Sequence, residues 1–97
     1  MTNPTTEPIV YNITLTLADT EYSQALPSST REFRFRCRTD FDIRFAWETG
    51  KVATPTAPYL TLPSSSDYYG DQSDITGKSI YFASSEAGVI VELEVWI

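Results

Sequence analysis

Arg34, Arg36 and Arg38 stand at alternate positions of "REFRFRCRTD", and Arg31 precedes them, so four of the seven basic residues fall within eight positions. Guanidinium groups spaced this way are suited to bidentate recognition of carboxylates or phosphates. The remainder of the chain argues against phosphate. Thirteen acidic residues set a formal charge of −6, whereas a general nucleic-acid binder needs a net basic surface or a large basic patch. The same balance disfavours docking on an anionic membrane. Two readings of the stripe stay open. It is an exposed sheet face laced with ion pairs, or a contact surface for an acidic protein neighbour.

Other chemistry is thinly supplied. There is no histidine in the sequence, which removes the usual general base, the commonest zinc ligand and the usual partner of a Ser or Cys nucleophile. Serines at 64–66 and 84–85 therefore lack an activating base, and no two carboxylates form a recognisable acid–base dyad. No catalytic residue and no cofactor site is assigned. The carboxylates Asp67, Asp71 and Asp74 crowd one polar tract, but they lack the alternate spacing and distal glutamate of a calcium loop, so no metal site is expected. Cys37 is the only cysteine, which excludes an internal disulfide, and its place in an apolar alternation reads as a small buried hydrophobe. Tyr68 and Tyr69 could stack on a sugar, an alternative ligand loop within 63–78. Trp47 shares the core parity of its segment. Trp96 lies on the polar parity beside Glu94 and is the better interface anchor.

These residues must be positioned by strands. Apolar residues recur with period two: Ile9, Tyr11, Ile13, Leu15 and Leu17; then Phe33, Phe35 and Cys37; then Phe41, Ile43, Phe45 and Trp47; and finally Val89, Val91, Leu93, Val95 and Ile97. "YSQAL" (22–26), "YLTL" (59–62) and "SIYFAS" (79–84) are shorter strands, and a brief one falls around Tyr68–Tyr69. No window carries helical spacing. Seven to eight short strands at this interval predict an all-β domain, a single antiparallel β-sandwich of jelly-roll-like form over 9–97. Pro4 and Pro8 make 1–8 an extended N-terminal arm, a second candidate for partner contact. The N-terminus carries no secretory pattern and no apolar run reaches the ~20 residues that span a bilayer, so a cytoplasmic product is expected.

Alternating arginines repel unless answered, being about 6.5–7 Å apart along one face. Glu92 and Glu94 offer matching alternate positions on the last strand, and Asp42 and Glu48 on the strand after the stripe. In an antiparallel pair, residues directly opposite share a face, so two odd-numbered apolar faces need an even sum. A three-residue turn at Thr39–Phe41 satisfies this by pairing Arg38 with Asp42 and Cys37 with Ile43; a crossover between sheets is the alternative.

The succession "ITLTLADTEYSQALP", "FRFRCRTDFDIRFAW" and "YFASSEAGVIVELEVW" resembles small β proteins encoded among the structural genes of tailed bacteriophages. The resemblance covers about residues 9–97. It implies a non-enzymatic virion component, a head decoration (cement) protein that contacts the major capsid protein or another virion protein as a homo-oligomer, often a trimer. Its location would be the virion, assembled in the host cytoplasm. A tail or fibre module that binds carbohydrate or a receptor is the competing expectation. On the leading one, the interface comprises Pro4, Pro8, Arg34, Arg36, Arg38 and Trp96.

Overall fold

A computed structural model describes residues 8–28, 30–70 and 77–97, and among these there is no helix. The eight strands are β1 (Ile9–Leu15), β2 (Tyr22–Ala25), β3 (Glu32–Cys37), β4 (Ile43–Ala46), β5 (Leu60–Leu62), β6 (Asp67–Gly70), β7 (Ser79–Ala83) and β8 (Val89–Trp96). They form two antiparallel sheets of four, ordered β1-β8-β3-β6 and β2-β7-β4-β5. The first strand pairs with the eighth, the second with the seventh, the third with the sixth and the fourth with the fifth. That is one long hairpin wrapped into a sandwich, the jelly-roll arrangement.

The period of two has a simple structural cause. In the first sheet Phe33 and Phe35 of β3 lie beside Val95 and Leu93 of β8, and all four point between the sheets. Ile43 and Phe45 of β4 and Ile80 and Phe82 of β7 fill the space from the other side. At the centre, the Phe35 ring meets Phe45 edge-on at 4.9 Å and Phe82 edge-on at 5.1 Å. Such pairs add about 0.5–1.5 kcal/mol each to the area they bury. At one end, Phe33 packs edge-on against Trp47 at 5.7 Å, which makes Trp47 a half-buried wall of the core. Gly70 sits directly across from Phe33 in the ladder, and the Phe33 ring lies where a side chain at position 70 would have to go. The glycine is required there because the aromatic ring covers the bare backbone.

Several expectations are corrected. β3 and β4 do not form a hairpin through Thr39–Phe41; they lie in different sheets, so the crossover holds. Two odd-numbered faces can face the same core because they approach it from opposite layers. Leu17, Phe41 and Ile97 keep the core parity yet are exposed, since each lies beyond a strand end. Leu17 follows the last rung, Leu15 to Val89, in the bend where its N–H donates to Tyr22 Oη. Phe41 lies in the crossover, and Ile97 is one residue past β8. Leu60 has Phe45 as its rung partner but stands exposed on the edge strand. Cys37 is only partly buried, packed against the core with its Sγ 3.6 Å from Thr39 Oγ1.

The outer face of the second sheet is not bare. The connection after β4 folds back so that Val52 is fully buried against Ala46 and Ala83. Arg44 fixes it in place. Its Nε donates to Val52 O at 2.7 Å, and its Nη2 donates to Ala53 O at 3.2 Å and to Asp19 Oδ1 at 2.8 Å. The side chain is only 14% exposed, so an arginine whose parity reads as outward and solvated is in fact covered by chain.

Candidate functional site

The other outer face, on the first sheet, carries the arginine stripe. Even-numbered residues of β1, β8 and β3 and odd-numbered residues of β6 point outward, and the register arranges them in rows. One row runs Val10, Glu94, Arg34, Tyr69; the next runs Asn12, Glu92, Arg36, Asp67. Arg38 lies just past β3, with its backbone N–H bonded to Ile90 O. The cross-strand pairing that the sequence offers is therefore made. Arg34 donates to Glu94 at 2.6 Å and Arg36 to Glu92 Oε1 at 3.0 Å, while Arg38 reaches Glu92 Oε2 at 2.9 Å. Asp42 plays no part in this. It lies in the crossover, where its Oδ1 accepts from Ser64 N–H. Glu48 follows β4 of the opposite sheet and is likewise absent from the face.

Glu92 is the hub, with both carboxylate oxygens occupied. The hydrogen bond from Arg38, then that from Arg36, holds its carboxyl below the ordinary value of 4.5, against an opposing effect of desolvation. A depressed folded-state value means that the stabilisation is in place above the ordinary glutamate range and is lost as pH falls through the folded value. Carbon-detected NMR of the Glu92 carboxyl should thus show a midpoint below 4.5, and Arg38→Ala should move it upward. An unchanged midpoint in Arg38→Ala would mean that Arg36 alone sets it.

The three arginines remain accessible despite these pairs, their side chains being 50%, 62% and 45% exposed. Each uses one N–H on a glutamate and has further donors turned outward. The face is shallow: Val10, Asn12, Arg34, Arg36, Glu92 and Glu94 line an open depression of about 270 Å³. Its apolar members are Val10, 58% exposed, the half-buried Ile90, and Tyr69, 54% exposed. Trp96 ends the same face in the rung opposite Glu32 and is half-buried. The structure therefore brings Arg34, Arg36, Arg38 and Trp96 onto one surface. Val10 and Ile90 belong to it and were missed, although both lie on the outward parity of strands that alternate clearly; they are apolar residues where a solvated face would have polar ones.

Tyr68 and Tyr69 do not act together. They are consecutive on β6 and point to opposite sides. Tyr68 packs on Phe45 at 4.8 Å and Phe35 at 5.3 Å as part of the core wall, which leaves no double-tyrosine platform for a sugar. Pro8 is half-buried just before β1, whereas Pro4, Asp71 and Asp74 lie outside the described residues. Among the described residues no group of three or more His, Cys, Asp or Glu side chains is placed to hold a metal ion, and no helix is long and apolar enough to cross a membrane. No protein-family model, curated protein or solved structure matches this chain.

Proposed function

We propose that this chain is a non-enzymatic structural protein of a bacteriophage virion, a decoration protein that stabilises the head through contacts with the major capsid protein or another virion protein. The observation that carries the reading is the outer face of β1-β8-β3-β6. It is broad and shallow, with exposed arginines in ordered ion pairs and apolar residues around them. Such a face suits a protein surface better than a small molecule, because small-molecule sites are concave and bury most of their ligand. Interfaces are likewise enriched in Arg, Tyr and Trp. Jelly rolls recur in viral capsid and lectin domains, which supports the class without deciding the role. With Tyr68 half-buried against the core, the paired-tyrosine platform of the carbohydrate-binding alternative is not formed.

The test is co-sedimentation. Purified chain is mixed with gradient-purified, DNA-filled heads from the lysate of cells encoding it, and the pellet is assayed with and without an excess of untagged chain. Saturable recovery with the heads is expected. A chain that stays in the supernatant and instead gains thermal stability from a glycan panel would overturn the reading.

A further inference from the structure

The charged face has a symmetry that identifies an occupant. In the two central rows β8 is acidic (Glu94, Glu92) and the adjacent β3 basic (Arg34, Arg36); the rows beyond them pair Trp96 with Glu32 and set Arg38 beside Ile90. Outside these lie Val10 and Asn12 on β1 and Tyr69 and Asp67 on β6. In those two rows the charge therefore changes sign across the line midway between β8 and β3, with Asp67 the one acidic residue on the basic side. The geometry points to a second copy of this chain as the partner, docked face to face about a two-fold axis that runs along that line, parallel to the strands.

Rotation about this axis places the β8 column of one copy over the β3 column of the other. Glu94 then faces Arg34 of the other copy, Glu92 faces Arg36, and Val10 faces Tyr69. Each intrachain pair becomes part of a four-centre cluster of two arginines and two glutamates, using the outward guanidinium N–H groups that the intrachain bonds leave over. A two-fold axis across the strands would instead lay β8 over β8 and β3 over β3, glutamate on glutamate and arginine on arginine. Like charges at that distance repel, so the pattern selects one axis and one register. Self-complementarity of a single patch is what an isologous contact requires. Four strands at about 4.8 Å and up to seven residues at about 3.4 Å outline at most roughly 20 × 24 Å, about 480 Å² a side, which places the contact among weak, salt-sensitive ones rather than obligate dimers. The contact occupies the face on which the virion reading rests, so a copy engaged in it cannot at the same time present that face to a capsid protein. A dimer that ignores phage heads leaves the contact standing, and a monomer bound to heads removes it alone.

Charge reversal in mixture tests it. Arg36→Glu makes position 36 match Glu92, and Glu92→Arg makes position 92 match Arg36, so either variant alone should associate at least about tenfold more weakly than the wild-type dimer. Mixed in equal amounts, the two restore two glutamates and two arginines across the contact but not within either chain. Native mass spectrometry should then find a dimer holding one of each, and sedimentation of the wild type should loosen as salt rises. Val10→Glu leaves every intrachain ion pair intact and should also weaken the dimer. A wild type that is monomeric, a trimer or other oligomer indifferent to all three variants, or a mixture without the mixed dimer would overturn the proposal.

Discussion

Phe35→Ala is expected to cost about 3–5 kcal/mol, the usual range for removing a buried aromatic side chain. Its ring is 1% exposed and touches aromatic partners in three other strands: Phe45 of β4, Phe82 of β7 and Tyr68 of β6. No neighbour can collapse into the space without leaving its own packing, so both the lost transfer energy and the cavity term apply in full. A domain of this size has a total stability of about 5–15 kcal/mol, and a loss of this order leaves it marginal. Urea denaturation should show a much lower midpoint with a similar slope. Phe41→Ala supplies the contrast. It has the same residue type and parity, but at 42% exposure in the crossover it should change stability by no more than about 0.5 kcal/mol. Equal effects at the two positions would mean that the core is not where the sheets place it.

The second large effect belongs to Arg44. Replacement by Met keeps most of the aliphatic stem but leaves the Val52 and Ala53 carbonyls without their donor against the second sheet. Hydrogen bonds from a charged donor contribute about 1.5–3 kcal/mol, and an orphaned buried acceptor adds its own penalty, so a loss of about 2–4 kcal/mol is expected. The Asp19 carboxylate is 57% exposed, and its share of this is small. Asp19→Asn should therefore be far milder. Arg44→Lys should recover only part of the loss, because an ammonium cannot reproduce the forked reach from Nε and Nη2. Amide exchange at Val52 and its neighbours would report the freed connection directly. A change within 0.5 kcal/mol for Arg44→Met, with protection unchanged, would contradict the stapling role.

Most of the layer structure was legible because one physical fact, the alternation of side chains along a strand, is written directly into the residues. Phe33, Phe35, Val91, Leu93 and Val95 had to share a face, and Glu92 and Glu94 had to stand opposite to them, which is where Arg34 and Arg36 find them. What parity cannot convey is the end of a strand or the layer to which it belongs. Leu17 and Ile97 continue the alternation past the last rung and so emerge into solvent. β3 and β4 satisfy the even-sum rule as a hairpin and as opposed layers equally well, and only the closure of the wrapped hairpin decides between them. Arg44 was illegible for a different reason. Its partners are backbone carbonyls, which every residue carries and which therefore leave no mark in composition. Tyr68 and Tyr69 look like a pair as neighbours in sequence, but on a strand neighbours face apart.

If the chain acts by protein–protein contact on a virion, it must be present in many copies per particle. The most direct measurement is quantitative mass spectrometry of gradient-purified particles from the encoding cells, with the molar ratio of this chain to the major shell protein as the readout. A fixed, near-integral ratio that drops when the chain carries Arg36→Glu is expected. A ratio at the level of soluble contaminants, or an abundance confined to the unsedimented fraction, would contradict the assignment to the particle.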